Sequence, residues 1–184
     1  FFYIYCLWVL GDYRGKGYGK ALMAHCLNDA KAQGKSGCCM LGAKKQKAWL
    51  SDQSFAQKFG FKAVDATASG YELLALSFDG TQPYFLPNAK KQEIAGQELT
   101  IYYDMQCPYV QQTVAMTKQY CQENDIPATF HKIDSLQKAK ELPCVFNNWA
   151  VFYQGKFATV NLLDVASLKR ILKNNCLAPQ EGRV

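Results

Sequence analysis

The chain has 184 residues, of which 49% are hydrophobic, 14% aromatic and 20% charged. That is enough apolar material for one domain or two small ones, and it excludes a disordered chain. The net charge of +6, from 21 Lys and Arg against 15 Asp and Glu, is too modest to point to nucleic acid and leaves room for an anionic small ligand.

The first element is the apolar run Phe1 to Leu10, which predicts a strand over 3–10. It is too short to span a bilayer and carries no charged leader of the signal-peptide kind, so no membrane partner is expected. The chain opens in mid-strand and without methionine, which reads as the C-terminal part of a domain. Next comes Arg14-Gly15-Lys16-Gly17-Tyr18-Gly19-Lys20, emptying directly into a helix predicted over 17–33. Leu22, Cys26, Leu27 and Ala30 form its expected core stripe, and Gly34 closes it as a C-terminal glycine does. A strand (37–43), a helix (48–58) and two strands (61–66 and 71–77) follow, the last two joined at Ser69-Gly70 as a hairpin. Lys44, Lys45 and Lys47 form the densest basic cluster, with Lys90 and Lys91 second. Each reads first as a solvated face; the first cluster, following the strand beside the loop, is also placed to meet phosphates.

Strand, glycine-rich loop and helix N-terminus in that order make a phosphate cradle. Three glycines remove the Cβ atoms that would hold a ligand away from the backbone, and the N–H groups of the first helical turn point at an anion. Arg14, Lys16 and Lys20 add positive charge. The wording is neither Walker A, which ends in Gly-Lys-Ser/Thr, nor the dinucleotide-binding Gly-x-Gly-x-x-Gly. Arg-x-x-Gly-x-Gly, with Arg14, Gly17 and Gly19 in its fixed places, resembles the acetyl-CoA pyrophosphate loop of the GNAT N-acetyltransferases. The resemblance implies acetyl-CoA as co-substrate. It further implies that Trp8, Val9 and Leu10 face the pantetheine arm, and that Arg14, Gly15, Lys16, Gly17, Tyr18, Gly19 and Lys20 face the pyrophosphate.

From Phe78 to Glu98 periodicity lapses among Asp79-Gly80, Pro83, Pro87, Asn88 and Gly96, which reads as a linker over 79–98. Beyond it come a strand (99–103), a helix (108–124), a strand (128–133), a short helix (135–140), strands near 149–153 and 156–160 with Gln154-Gly155 as their turn, and a helix over 164–174. This is the thioredoxin order. Cys107-Pro108 stands where that fold carries its reactive cysteine, and Leu142-Pro143 resembles its cis-proline.

A second resemblance covers Tyr3 to Leu172. The glycine loop, Phe59-Gly60-Phe61-Lys62, Tyr71-Glu72-Leu73-Leu74, Tyr102 to Pro108 and Val151 to Phe157 are together similar to the YoaP-like bacterial acetyltransferases, which join a GNAT domain to a small thioredoxin-like domain. The implied class is α/β: a partial GNAT fold over 1–78, the linker, a thioredoxin-like domain over 99–177 and a tail over 178–184. The implied activity is acetyl transfer to an unidentified small-molecule or peptide amine, with the backbone of Val9 or Leu10 donating to the oxyanion. The tyrosine that protonates the leaving thiolate in such enzymes falls at Ala56, flanked by Phe55 and Phe59, so neither general acid nor general base is named. Tyr71 and Cys6 read as structural, and Trp49, Phe55, Phe59 and Phe61 as core. The unpaired first strand is an edge expected to pair with a second copy.

Eight cysteines (6, 26, 38, 39, 107, 121, 144 and 176) lack the spacing of a zinc site or a secreted disulfide framework, and only His25 and His131 are available, so no metal is expected. Mostly free thiols in a reducing cytoplasm are the simplest account. Cys107 at a helix start has its thiolate favoured by the dipole, which keeps open a monothiol redox or sensing role. The position three residues on is Val110, so no dithiol cycle runs within the motif; Cys121 is about 21 Å along the helix, beyond disulfide reach. Cys144 remains an alternative partner. A non-catalytic acetyl-CoA-binding or partner-binding module is the third reading.

Overall fold

The computed structural model describes residues 1–174 apart from 46, 48, 49 and 51. It divides into two compact units, residues 1–85 and the chain from 86 onward. Trp49, Cys176 and the predicted tail lie outside the described residues.

Unit 1 contains β1 (Phe2–Tyr3), α1 (Tyr18–Ala32), β2 (Gly37–Gly42), α2 (Gln53–Gln57), β3 (Lys62–Ala66) and β4 (Glu72–Ser77). They form one sheet in the order β1-β2-β4-β3. β1 runs parallel to β2, and β2-β4 and β4-β3 are antiparallel. Alternation decides the two faces. Cys38, Met40 and Leu74 point to the helices and pack with Met23, Ala30, Ala56 and Phe61, whereas Cys39, Leu73 and Ala75 point to the other side with Tyr3, Val64 and Phe85. Cys38 and Cys39 therefore point to opposite faces, and burial pushes their thiols up to about 12 and about 11.

Three elements differ from what the sequence predicts. The helix expected over 48–58 is α2, which begins only at Gln53, with the Asp52 side chain capping it by accepting from the Ser54 N–H. The apolar run predicts a strand to residue 10, but the ladder ends at Tyr3, with one further bond from the Ile4 N–H to the Cys39 carbonyl at 2.8 Å. β2 stops at Gly42, so a parallel neighbour in this register has nothing to pair with beyond Cys6. In α1 the buried residue of the first stripe is Met23, fully shielded, while Leu22 is 47% exposed.

Unit 2 contains α3 (Pro87–Lys91), β5 (Leu99–Tyr103), α4 (Pro108–Glu123), β6 (Ala128–Lys132), α5 (Leu136–Lys140), β7 (Trp149–Tyr153), β8 (Lys156–Thr159) and α6 (Val165–Asn174). Its sheet has the order β6-β5-β7-β8, with β5 parallel to β6 and the other pairs antiparallel. Val110, Val114 and Cys121 of α4 and Leu168 of α6 pack on Leu99, Ile101, Trp149 and Val151. Of the segment read as a linker, residues 87–98 carry α3 and bond to the β7–β8 hairpin, where the Ile94 N–H donates to the Gly155 carbonyl at 2.8 Å. Gln154 and Gly155 both have left-handed backbone (φ 50° and 77°), as a two-residue hairpin turn requires.

Candidate functional site

After Ile4 the chain leaves β2 and folds its own loop. A 3-10 turn covers Gly11–Tyr13, with the Tyr13 N–H donating to the Leu10 carbonyl at 3.0 Å and the Arg14 N–H to the Gly11 carbonyl at 3.1 Å. Gly15 and Gly17 then take φ of 76° and 86°, which side chains bearing a Cβ rarely adopt. Gly17 is the N-cap of α1 and offers no side-chain acceptor, and the first turn of α1 holds no acidic residue. The opening N–H groups of the helix are thus left without a capping side chain at the positive end of its dipole. Arg14, Lys16 and Lys20 are all exposed around this terminus.

Two contacts organise the cations. The Arg14 Nε donates to the Val9 carbonyl at 3.2 Å, and the Lys16 ammonium lies 5.7 Å from the centre of the Tyr13 ring, itself edge-on to Tyr18 at 6.1 Å. Gly19 differs from its neighbours. It has helical backbone, and a Cβ there would meet the Phe55 ring at 3.5 Å, an ordinary contact.

Beside the loop lies an apolar groove of about 680 Å³, lined by Trp8, Val9, Leu10, Tyr13, Tyr18, Ala21, Leu22 and His25. It brings together Trp8, Val9, Leu10 and Tyr18. Arg14, Gly15, Lys16, Gly17, Gly19 and Lys20 are outside its lining. Trp8 and Leu10 are 61% and 63% exposed. Sequence reasoning missed Leu22 and His25 as groove residues, although the signal was present: Tyr18, Leu22 and His25 recur at helical spacing on one face of α1.

Other sequence candidates fall elsewhere. Ala56 is fully buried among Met23, Phe61 and Leu74, and the Phe55 and Phe59 rings meet at 5.2 Å. Lys44 forms a 3.9 Å ion pair with Glu72, and the Lys47 ammonium donates to the Ser69 carbonyl at 3.0 Å while lying 4.5 Å from the Tyr71 ring. Two of the three lysines of the densest cluster are thereby drawn to the β3–β4 hairpin. Burial raises the pKa of Tyr71, and Cys6 is exposed.

In unit 2, Cys107 is the half-buried N-cap of α4, with Pro108 at the first helical position. The described peptide bonds include no cis bond, which corrects the expected cis-proline: Leu142 to Pro143 is trans, the isomer most X–Pro bonds prefer. Cys107 and Cys144 are both free thiols; Cys144 is buried, donates to the Phe146 carbonyl at 3.4 Å and is pushed up to about 12 by desolvation. Asp104, three residues before Cys107, is buried. Its Oδ1 accepts from the Gln106 N–H at 3.0 Å, its Oδ2 has no partner, and burial raises its pKa. Among the described residues no group of three His, Cys, Asp or Glu is arranged for a metal, and no helix is long and apolar enough to cross a membrane.

The chain is 30% identical over 174 residues to the protein described as "Uncharacterized N-acetyltransferase YoaP" of Bacillus subtilis (strain 168), a match spanning 94% of this chain and 69% of that one. The chain belongs to the YoaP-like acetyltransferases. Residues 1–63 match the acetyltransferase (GNAT) domain family, and residues 127–170 match the YoaP-like family. No solved structure matches the chain. As a YoaP-like acetyltransferase it is an enzyme, and the GNAT match places the loop, α1, β2 and α2 within its acetyl-transfer domain.

Proposed function

We propose that the protein transfers the acetyl group of acetyl-CoA to an amine and that unit 1 holds the cofactor. The observation that carries this is the left-handed Gly15–Gly17 turn delivering an uncapped α1 N-terminus ringed by Arg14, Lys16 and Lys20. In this reading the pyrophosphate rests on the backbone from Gly15 to Lys20. The pantetheine arm lies along Trp8, Val9 and Leu10, a stretch that pairs with no strand among the described residues; its Val9 and Leu10 carbonyls already accept from Arg14 Nε and the Tyr13 N–H, and in this reading its N–H groups face the ligand. The Val9 or Leu10 N–H donates to the oxyanion that forms when the amine attacks the thioester carbonyl. The 69% coverage of an N-acetyltransferase relative supports an amine acceptor.

Unit 2 is read as an accessory thioredoxin-like domain, supported by the sheet order β6-β5-β7-β8 and by Cys107 at the start of α4. The domain limits are read as 1–78 and 99–177.

Calorimetric titration of the protein with acetyl-CoA, repeated with Gly17→Val, tests the cofactor assignment. Binding by the wild type with at least tenfold loss in the variant is expected; absence of binding, or equal binding by both, overturns it.

A further inference from the structure

We propose that Cys26 and Cys38 are a redox-active thiol pair, which a peroxide converts to a disulfide across the contact between α1 and β2. The pair lies within unit 1 and stands apart from the cofactor reading.

Helix and strand periodicity bring the two together. Cys26 falls three residues after Met23 and four before Ala30, the buried residues of α1, so it shares their sheet-facing stripe. Cys38 is the second residue of β2, is fully shielded, and points to the helices. Cys26 packs against the same cluster while remaining half-buried. The two sulfurs are hydrogen-bonded, with Cys38 the partner that holds its proton. Desolvation first, then the neighbouring Cys26 and this bond, push the Cys38 thiol up to about 12.

The other cysteines of unit 1 point elsewhere. Cys39 follows Cys38 in extended backbone and faces the opposite side of the sheet. Cys6 lies beyond the end of the β1 ladder and is exposed. Cys26 is thus the sulfur that faces Cys38 from the helix layer. The chain between them already reverses at Gly34, whose φ is 64°, so both ends of the segment meet without further rearrangement.

Exposure divides the roles. The thiolate is the form that attacks an oxidant, and attack needs access. Cys26 has that access and Cys38 does not. The Cys26 sulfur attacks hydrogen peroxide, the O–O bond breaks, and a sulfenic acid forms as the released hydroxide takes the thiol proton to become water. The Cys38 sulfur then attacks the Cys26 sulfur, the S–O bond breaks, and the Cys38 proton leaves with the departing hydroxide as a second water. Two thiols and one peroxide give one disulfide and two waters. The bond needs about 2.05 Å between sulfurs already in contact. It would pin α1 to the sheet midway along the helix.

Burial alone would treat Cys38 and Cys39 alike, since they are neighbours on one strand at 0% and 7% exposure. Pairing separates them.

The test treats the reduced, folded full chain with hydrogen peroxide, unfolds it in N-ethylmaleimide, and maps tryptic peptides by mass spectrometry without reduction. Residues 21–31 and 36–44 are expected as one linked species, lighter than their sum by two hydrogens, with Cys39 alkylated and dithiothreitol reversing the link. Loss of the free thiol should be at least tenfold greater at Cys38 than at Cys39. Cys26→Ser is expected to leave Cys38 a free thiol, and Cys38→Ala to leave Cys26 as a sulfenic acid that dimedone traps. If Cys38→Ala does not fold, Cys26→Ser and the wild-type map decide. Absence of the link in the folded chain, linkage of Cys26 to any other cysteine, or equal loss at Cys38 and Cys39 overturns the pair.

Discussion

The Nε of Arg14 donates to the carbonyl oxygen of Val9 at 3.2 Å. The cation that begins the glycine loop is thereby tied to the residue whose backbone is proposed to face the thioester. In the proposed reading this side chain would set the spacing between the pyrophosphate end and the reacting end of the cofactor.

Arg14→Ala is expected to weaken acetyl-CoA about 5–30-fold, the equivalent of about 1–2 kcal/mol for a lost charge-assisted bond. Arg14→Lys keeps the charge but not the planar Nε donor, so it should fall between the two. Calorimetry on the three proteins checks this; a lysine variant equal to wild type would show that charge alone matters.

Gly17 and Gly19 should behave differently despite their shared motif. Gly17 has φ 86°, so Gly17→Ala costs about 1–2 kcal/mol of backbone strain and lowers the melting temperature by roughly 5–15 °C. Gly19 sits in helical backbone with ordinary room for a Cβ, so Gly19→Ala should leave the melting temperature unchanged or raised. It should nonetheless weaken acetyl-CoA if the phosphates approach the backbone there. Thermal melts beside calorimetry separate the two effects.

Restoring the family's tyrosine at position 56 should fail. Ala56 is fully buried among Met23, Phe61 and Leu74, and overpacking a closed site costs about 1–3 kcal/mol. Ala56→Tyr is expected to melt lower and to turn over no faster. A faster enzyme would show that the site can open to a phenol.

What was legible in the sequence was local. The register of Arg14, Gly17 and Gly19 needs only the chain between them, and the hairpin turns at Ser69-Gly70 and Gln154-Gly155 announce themselves by residues that accept left-handed backbone. Where a partner decides, the sequence misled. The run to Leu10 is apolar enough for a strand, but pairing ends where β2 ends. Leu22 and Met23 are adjacent and equally apolar, so only the direction of packing assigns one to the core and the other to the groove. Glu72 stands opposite Gly42 across the β2–β4 ladder, a pairing of distant segments that has no signature in either.

The thiols of unit 2 should separate by reactivity. Cys144 is buried and pushed up to about 12, while Cys107 is half-buried at the start of α4. Iodoacetamide at pH 8 is expected to label Cys107 in the folded protein and Cys144 only after denaturation. Peptide mapping by mass spectrometry reads the order, and early labelling of Cys144 would contradict it.

Asp104 gives unit 2 a defined pH response. Burial raises its carboxyl pKa above the unfolded value, so the folded state keeps its proton to higher pH than the unfolded chain does. Its contribution to stability is fully present below the unfolded pKa and is lost as pH rises through the folded one. Asp104→Asn retains an Oδ1 for the Gln106 N–H and removes the charge. The wild-type melting temperature minus that of the variant should therefore fall from pH 3.5 to pH 7; a flat difference would exclude Asp104 as the source.

β1 pairs with β2 for two residues and then lets go. A cofactor laid along residues 8–10 would act as a removable strand, so part of the folding free energy of unit 1 would reside in a molecule it does not own. A ligand at a hundred times its dissociation constant adds about 2.7 kcal/mol to the folded state by mass action. The survival of this protein against proteases would then follow the supply of its own cofactor, making abundance a gauge of metabolic state.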